Sequence, residues 1–285
     1  MCRCSARPGP TAPIAAPEGR RRRESMQDDD RADYARNGFA LVRGAVTGPL
    51  LAALGQAVDA VQAAVPGLAP GLRERLTLER DLTEDRRDGI AASEVGDAIF
   101  ILGDPPAFAP VFGALLDHPA VTGPIRAALG VSEAVAHFMN VTIKHPGFGR
   151  SIGWHRDYPN GYACPEASCF LRAMICLDGM TEAGGATAFL PGSHALTDAA
   201  ARAAPRRPAG WSPEGAVTLP CAPGDMVLIH PKVLHGGGMN RSARPRRNII
   251  LQAGDAAVAL RERPAQEAVA GRRLGGPAPA PPAGQ

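Results

Sequence analysis

The clearest regularity along the chain is a period of two over residues 168–178. Cys169, Leu171, Ala173, Ile175 and Leu177 make one apolar face, and Ser168, Phe170, Arg172, Met174 and Cys176 make the other. Successive side chains of a strand point to opposite faces, so this segment predicts a strand with one face on a core and a mixed face lining a site. Further short apolar runs occur at 134–144, 186–190, 215–219, 226–230 and 247–252, between the turn signals Pro146-Gly147, Gly184-Gly185, Pro191-Gly192 and Pro223-Gly224. Before residue 130 the texture is helical. Residues 28–37 predict a short helix stopped by Gly38, and Phe39 to Val42 a short strand. Thr47 caps an amphipathic helix reaching about Val65, with Pro49 in its first turn. Two more helices are expected near 106–116 and 119–129. Helices followed by many short strands predict a mainly β fold with flanking helices (α+β), a sandwich or barrel. Residues 66–104 and 159–167 carry the least pattern and are expected to form a pocket rim.

Composition adds limits. With 33 Gly, 28 Pro and few aromatics in 285 residues, turns are frequent, which suits a β-rich fold. Residues 1–26, rich in Pro, Ala and Arg, read as a disordered N-terminal extension. The segment is basic enough for a transit peptide, but Met26 directly precedes the first ordered-looking stretch and favours a start there. Residues 27–260 read as one domain, and the Gly/Pro/Ala-rich 261–285 as a disordered C-terminal tail. No run of about 18 apolar residues stands out as a membrane span. Six cysteines at irregular positions, with no apolar secretory core ahead of them, read as reduced thiols in a cytoplasmic protein. A net charge of +3 gives no basic face for nucleic acid. Of 31 basic residues only Lys144 and Lys232 are lysine, so arginine is the default base and its presence carries little information.

The chemistry concentrates in Gly153-Trp154-His155-Arg156-Asp157. On an extended backbone His155 and Asp157 point the same way, one imidazole and one carboxylate toward one point. A second imidazole completes a facial triad that leaves coordination positions open, which suits oxygen-activating iron(II). His235, on the glycine-rich exit from an apolar strand that begins at Gly224, is the best third ligand; His230 competes with it. His-x-Asp alone is weak. His-Arg-Asp also opens the protein-kinase catalytic loop, but that loop needs Asn where this chain has Tyr162, so the kinase reading fails.

The larger pattern is specific. From about residue 134 to 253 the chain resembles the phytanoyl-CoA dioxygenase family of iron(II)/2-oxoglutarate oxygenases. The resemblance rests on Trp154-His155-Arg156-Asp157, Gly184-Gly185-Ala186-Thr187-Ala188-Phe189-Leu190-Pro191-Gly192-Ser193-His194, Gly224-Asp225, His235-Gly236-Gly237-Gly238-Met239-Asn240 and Arg246. The opening Asn37-Gly38-Phe39-Ala40-Leu41-Val42-Arg43-Gly44 fits too. It implies a double-stranded β-helix (jelly roll) with His155, Asp157 and His235 on iron, 2-oxoglutarate and O2 as cosubstrates, and Arg246 on the far carboxylate of 2-oxoglutarate. A guanidinium suits that role because it offers two parallel hydrogen bonds to a carboxylate. Arg247 is the adjacent alternative on the opposite strand face. The family often carries a hydroxyl two positions after the distal histidine, where this chain has Gly237. Asn140, Thr142 and Lys144 share one strand face and are candidates for the missing contact.

The implied reaction is hydroxylation of an unactivated C–H bond of a small natural-product or amino-acid-like molecule, releasing succinate and CO2. The intact Asp157 favours this over halogenation. Desaturation, cyclisation and epoxidation stay open, as does a non-catalytic metal-binding jelly roll. Tyr158, Arg172 and Met174 are candidates for the substrate pocket; Trp154 is placed at the pocket or beneath the metal. The other histidines are expected to be structural. Substrate identity and oligomeric state are left open.

Overall fold

The longest predicted strand and its partners form one sheet, to which the flanking helices are fastened. The structure, a computed structural model, describes residues 26–161, 163–205, 207, 211–258, 260, 266 and 268–275. Among them run strands β1 (Phe39–Val42), β2 (Leu76–Leu78), β3 (Ile99–Gly103), β4 (Ala134–Lys144), β5 (Ile152–His155), β6 (Phe170–Cys176), β7 (Thr187–Phe189), β8 (Val217–Thr218), β9 (Met226–Ile229), β10 (His235–Gly237) and β11 (Arg246–Asp255). Seven make a sheet ordered β1-β9-β6-β11-β4-β3-β2, and four make a second ordered β5-β10-β7-β8. Every pairing is antiparallel and neither sheet closes on itself. Two such sheets, with helices on the outer face of the larger one, are a jelly roll.

The period of two sets which side of the large sheet each residue covers. Leu171, Ala173 and Ile175 of β6 and Met226 and Leu228 of β9 join the main core under the helices. Met174, Cys176, Val227 and Ile229 alternate with them and enter a second core with Phe39 and Phe189. The rings of Phe39 and Phe189 stack at 4.4 Å and tie the two sheets together. The helices are α1 (Asp28–Asn37), α2 (Gly48–Ala64) and α3 (Pro119–Leu129), beside shorter turns. Helix α2 buries Leu54, Val58 and Val61 at helical spacing against the core. With the turn after it, Gly48–Gly67, it is long and apolar enough by composition to cross a membrane, which the sequence reading passed over. Its polar side chains tie it to the domain instead. Gln62 bonds Asp97 and Ile99, and Asp59 pairs with Arg247 at 2.7 Å.

Three sequence expectations change. Residues 106–116 are not an α-helix but two 3-10 turns, Pro105–Ala107 and Pro110–Leu116, because Pro105, Pro106, Pro110 and Gly113 interrupt α-helical bonding. The patternless stretch 66–104 holds β2 and β3, which extend the large sheet through β4. The C-terminal stretch is not wholly a loose tail. Val269 and Leu274 are buried in the main core, and the Arg272 carbonyl accepts from the Ala136 amide at 2.8 Å. The disorder expected for 1–25 falls outside the described residues.

Candidate metal centre and its cavity

Three short segments bring the predicted ligands together. His155 ends β5 and His235 begins β10; the two strands pair antiparallel with His235 directly opposite His155. Their rings stand 4.3 Å apart, and Phe189 of β7, opposite His235 on its other side, stacks near it at 5.8 Å. Asp157 follows β5 in a loop fastened at both ends. The Tyr158 amide donates to the Pro231 carbonyl at 2.9 Å, and Asn160 Nδ2 donates to the Asp157 carbonyl at 3.1 Å. Ligand atoms of His155, Asp157 and His235 all lie within 4.8 Å of one another.

The hydrogen bonds fix which atoms face the centre. His155 Nδ1 meets the Gly153 carbonyl at 2.8 Å, and His235 Nδ1 meets the Val233 carbonyl at 3.1 Å. A ring nitrogen facing a carbonyl must carry the proton, so both Nε2 lone pairs are free for a metal. These Nε2 atoms stand 3.5 and 3.8 Å from the two carboxylate oxygens of Asp157. Burial pushes the Asp157 pKa up, but the Arg172 guanidinium and the two imidazoles outweigh it and hold it below the usual carboxylate range. Neither carboxylate oxygen has a well-formed hydrogen bond, although both are buried. Burial, with His155 next to it, lowers His235 to about 4, so its imidazole is neutral at pH 7. Two imidazole Nε2 atoms and a buried anionic carboxylate, whose Oδ2 has no hydrogen-bond partner and whose Oδ1 meets the Arg172 guanidinium, fit a divalent cation such as iron(II).

The centre opens into a cavity of about 450 Å³. The structure places Asn140, Thr142, Arg172, Met174 and Arg246 on its walls, along with Ile229, Ile250 and Thr187. Arg172 Nη1 reaches Asp157 Oδ1 at 2.5 Å, so this residue also holds a ligand. Arg246 is buried at the start of β11. With the Asn248 amide oxygen turned toward it, Nη1 donates at 2.7 Å, while Nε is buried without a partner. Burial lowers its pKa to about 10, which leaves it charged at neutral pH. Arg247, on the other strand face, pairs with Asp178 at 2.7 Å and is committed there.

Three predicted site residues lie elsewhere. Lys144 pairs with Arg246 across β4 and β11 but stands behind the cavity wall. Its Nζ donates to the Gly185 carbonyl at 3.2 Å and to the Gly238 carbonyl. Burial and the Arg246 guanidinium bring its pKa down to about 6. A group held that way is a backbone tie, not a counter-charge for a dicarboxylate. Space at Gly237 is tight, since a Cβ there would meet the Ala186 and Gly185 carbonyl oxygens and Lys144 Nζ, each at 3.3 Å. Tyr158 is buried outside the cavity and donates to the Glu166 carbonyl at 2.7 Å. Trp154 points to the face of β5 opposite His155 and meets Trp211 edge-on at 6.3 Å. His145 and His194 bond backbone carbonyls, and His230 accepts from the Lys232 amide, as structural histidines do.

Sequence reasoning missed Arg86, Phe100, Ile101, Arg150 and Ile152, all of which line the cavity. Phe100 and Ile101 come from β3 in the patternless stretch, and the arginines were masked by the arginine bias. The run of four apolar residues Ile99-Phe100-Ile101-Leu102 was the one available signal.

Residues 34–248 match the family model "Phytanoyl-CoA dioxygenase (PhyH)". Among curated proteins, the chain is 29% identical over 161 residues to the mouse (Mus musculus) phytanoyl-CoA dioxygenase domain-containing protein 1, covering 52% of this chain and 54% of the relative. It is 25% identical over 251 residues to the ectoine dioxygenase of Bordetella parapertussis, covering 80% of this chain and 75% of that protein. The chain thus spans about half the length of the mouse relative. Among solved structures, EctD from S. alaskensis with bound Fe superposes with a TM-score of 0.65 at 19% identity, covering 83% of this chain and 79% of that one. The same protein with 2-oxoglutarate and 5-hydroxyectoine gives 0.62 at 20% identity, over 82% and 78%. At these identities the structural likeness carries the fold alone.

Proposed function

This chain belongs to the phytanoyl-CoA dioxygenase family, and from that premise we propose that it is an iron(II)- and 2-oxoglutarate-dependent dioxygenase that hydroxylates an unactivated C–H bond of a small molecule. The observation that carries the reading is the joint presence of the His155, Asp157 and His235 cluster and the buried, partly unpaired Arg246 around one cavity. Iron bound by the three ligands would supply oxygen activation coupled to oxidative decarboxylation of 2-oxoglutarate to succinate and CO2. The chain's own residues do the rest. Gly153 and Val233 fix the tautomers of the two histidines, and Arg172 holds the Asp157 carboxylate. Arg246 stands ready for the far carboxylate of 2-oxoglutarate, with an unused Nε donor in a buried place where a charge-assisted bond is strong. Met174, Ile229 and Ile250 exclude water from the wall beside it. With iron bound, Asp157 would fill the coordination position that a halide needs, which favours hydroxylation.

The test is succinate release. Purified protein with iron(II), 2-oxoglutarate and air is expected to form succinate, slowly without substrate and faster when a library compound fits. His155→Ala and Asp157→Ala should abolish both rates. Succinate formation unaffected by either substitution would overturn the assignment.

A further inference from the structure

Four arginines line the cavity, and the proposed function uses two of them. Arg246 serves the cosubstrate and Arg172 holds Asp157. Arg86 and Arg150 are left, near Phe100. Arginine is the default base of this chain, so their number says nothing; their surroundings do. Arg150 is half-buried, with its guanidinium 4.7 Å above the Phe100 ring. Its Nε donates to the Ser151 carbonyl at 3.3 Å, and its Nη1 is buried without a hydrogen-bond partner. The neighbouring acids do not supply one. Both oxygens of Asp88 accept from Ser151, at 2.8 to 3.0 Å. Glu79 is buried, and its Oε1 is also without a partner. Among the described residues, neither Arg86 nor Arg150 enters an ion pair, and no carboxylate side chain lines the cavity.

The charge balance makes this informative. With iron(II) and 2-oxoglutarate in place, the metal, Arg172 and Arg246 already outweigh Asp157 and the cosubstrate dianion by one positive charge. Arg86 and Arg150 add two more on the lining itself, the charge of Arg150 being partly offset by Glu79 and Asp88 outside it, and the rest of the wall combines the apolar Ile101, Ile152, Ile229, Met174 and Ile250 with the polar Asn140, Thr142 and Thr187. A buried guanidinium donor without an acceptor is costly, and a ligand that supplies the acceptor removes the cost.

We infer that the substrate is an organic acid with an apolar body, whose carboxylate docks on Arg150, with Arg86 beside it at the rim, while its chain lies along the isoleucine wall toward the metal centre. The inference rests on the dioxygenase reading of the same site. It deepens that reading by naming a substrate class. One charge-assisted contact of this kind is worth about 10- to 100-fold in affinity over a neutral analogue.

The test compares octanoate with octanamide, titrated calorimetrically and anaerobically into the iron(II)- and 2-oxoglutarate-loaded protein. Octanoate is expected to bind at least about tenfold more tightly than the amide. In Arg150→Met the preference should fall to within about twofold, Arg150→Lys should keep part of it, and 2-oxoglutarate affinity should stay near that of the wild type. Arg86 is exposed, so Arg86→Met leaves the fold intact and should weaken octanoate alone. Equal binding of acid and amide, no octanoate binding, or a preference that survives both methionine variants would overturn the inference. Loss of 2-oxoglutarate affinity in Arg150→Met would also overturn it, by assigning Arg150 to the cosubstrate. If 2-oxoglutarate does not bind the wild type at all, the dioxygenase reading fails on its own, and the same titration in iron-free protein still decides the anion preference.

Discussion

At the scale of single residues, the account separates groups that face the cavity from groups that hold the wall. Arg246→Leu should weaken 2-oxoglutarate binding by roughly two to four decades, because truncating one partner of a buried charge pair costs about 3–5 kcal/mol. A titration of the iron(II) protein with 2-oxoglutarate reads this directly; a loss of less than tenfold would place the carboxylate elsewhere. Lys144→Met should do the opposite, leaving 2-oxoglutarate affinity near normal while lowering stability. It strands the Gly185 and Gly238 carbonyls, each at roughly 1–3 kcal/mol. Thermal unfolding checks it, with about 2–4 °C lost per kcal/mol in a domain of this size. The convergence of His155 and Asp157 was legible in the sequence because a two-residue period turns them the same way, and Arg246 was singled out by the family resemblance, which its place on the cavity wall fits. The role of Lys144 was not, because its rarity among the basic residues says nothing about which carbonyls surround it.

At the scale of elements, the legible parts are those with a strong local pattern. Strands β4, β6, β9 and β11 and helices α1 and α2 fall close to where apolar periodicity and turn residues place them. Strand β2 was not legible because it is only three residues long, and the four apolar residues of β3 show no period that separates strand from helix until the strand pairs with β4. That omission hid Phe100 and, with it, one wall of the cavity. The turn before β9 is the sharpest test of an element boundary. Gly224 sits at φ +83°, and a Cβ there would collide with the Val46 carbonyl oxygen. Gly224→Ala should therefore cost roughly 2–4 kcal/mol through left-handed strain and displacement of the α2 entry. Urea unfolding measures it, and a change under 1 kcal/mol would show that the turn can relax.

At the scale of the whole molecule, the buried titratable groups set how stability follows pH. Burial lowers His137, His230 and His235 to about 4, below the ordinary 6.5. Their contribution is complete above pH 6.5 and is lost as pH falls toward 4, because the unfolded chain takes up protons that the folded chain refuses. Glu79, which burial raises to about 7, opposes this between pH 4.5 and 7. Three histidines against one carboxyl leave a net uptake of about two protons on unfolding near pH 5.5. The urea midpoint of the iron-free protein should accordingly rise from pH 4.5 to 6.5; a flat or falling midpoint would contradict the burial of these imidazoles. The architecture as a whole gives two sheets one task, since the small sheet carries both histidines and the large sheet carries Arg172 and Arg246. The most direct test of that joint site is anaerobic addition of iron(II) and then 2-oxoglutarate while visible absorption is recorded. The account predicts a metal-to-cosubstrate charge-transfer band that is absent in His155→Ala and needs far more 2-oxoglutarate in Arg246→Leu; no band in the wild-type protein would contradict it.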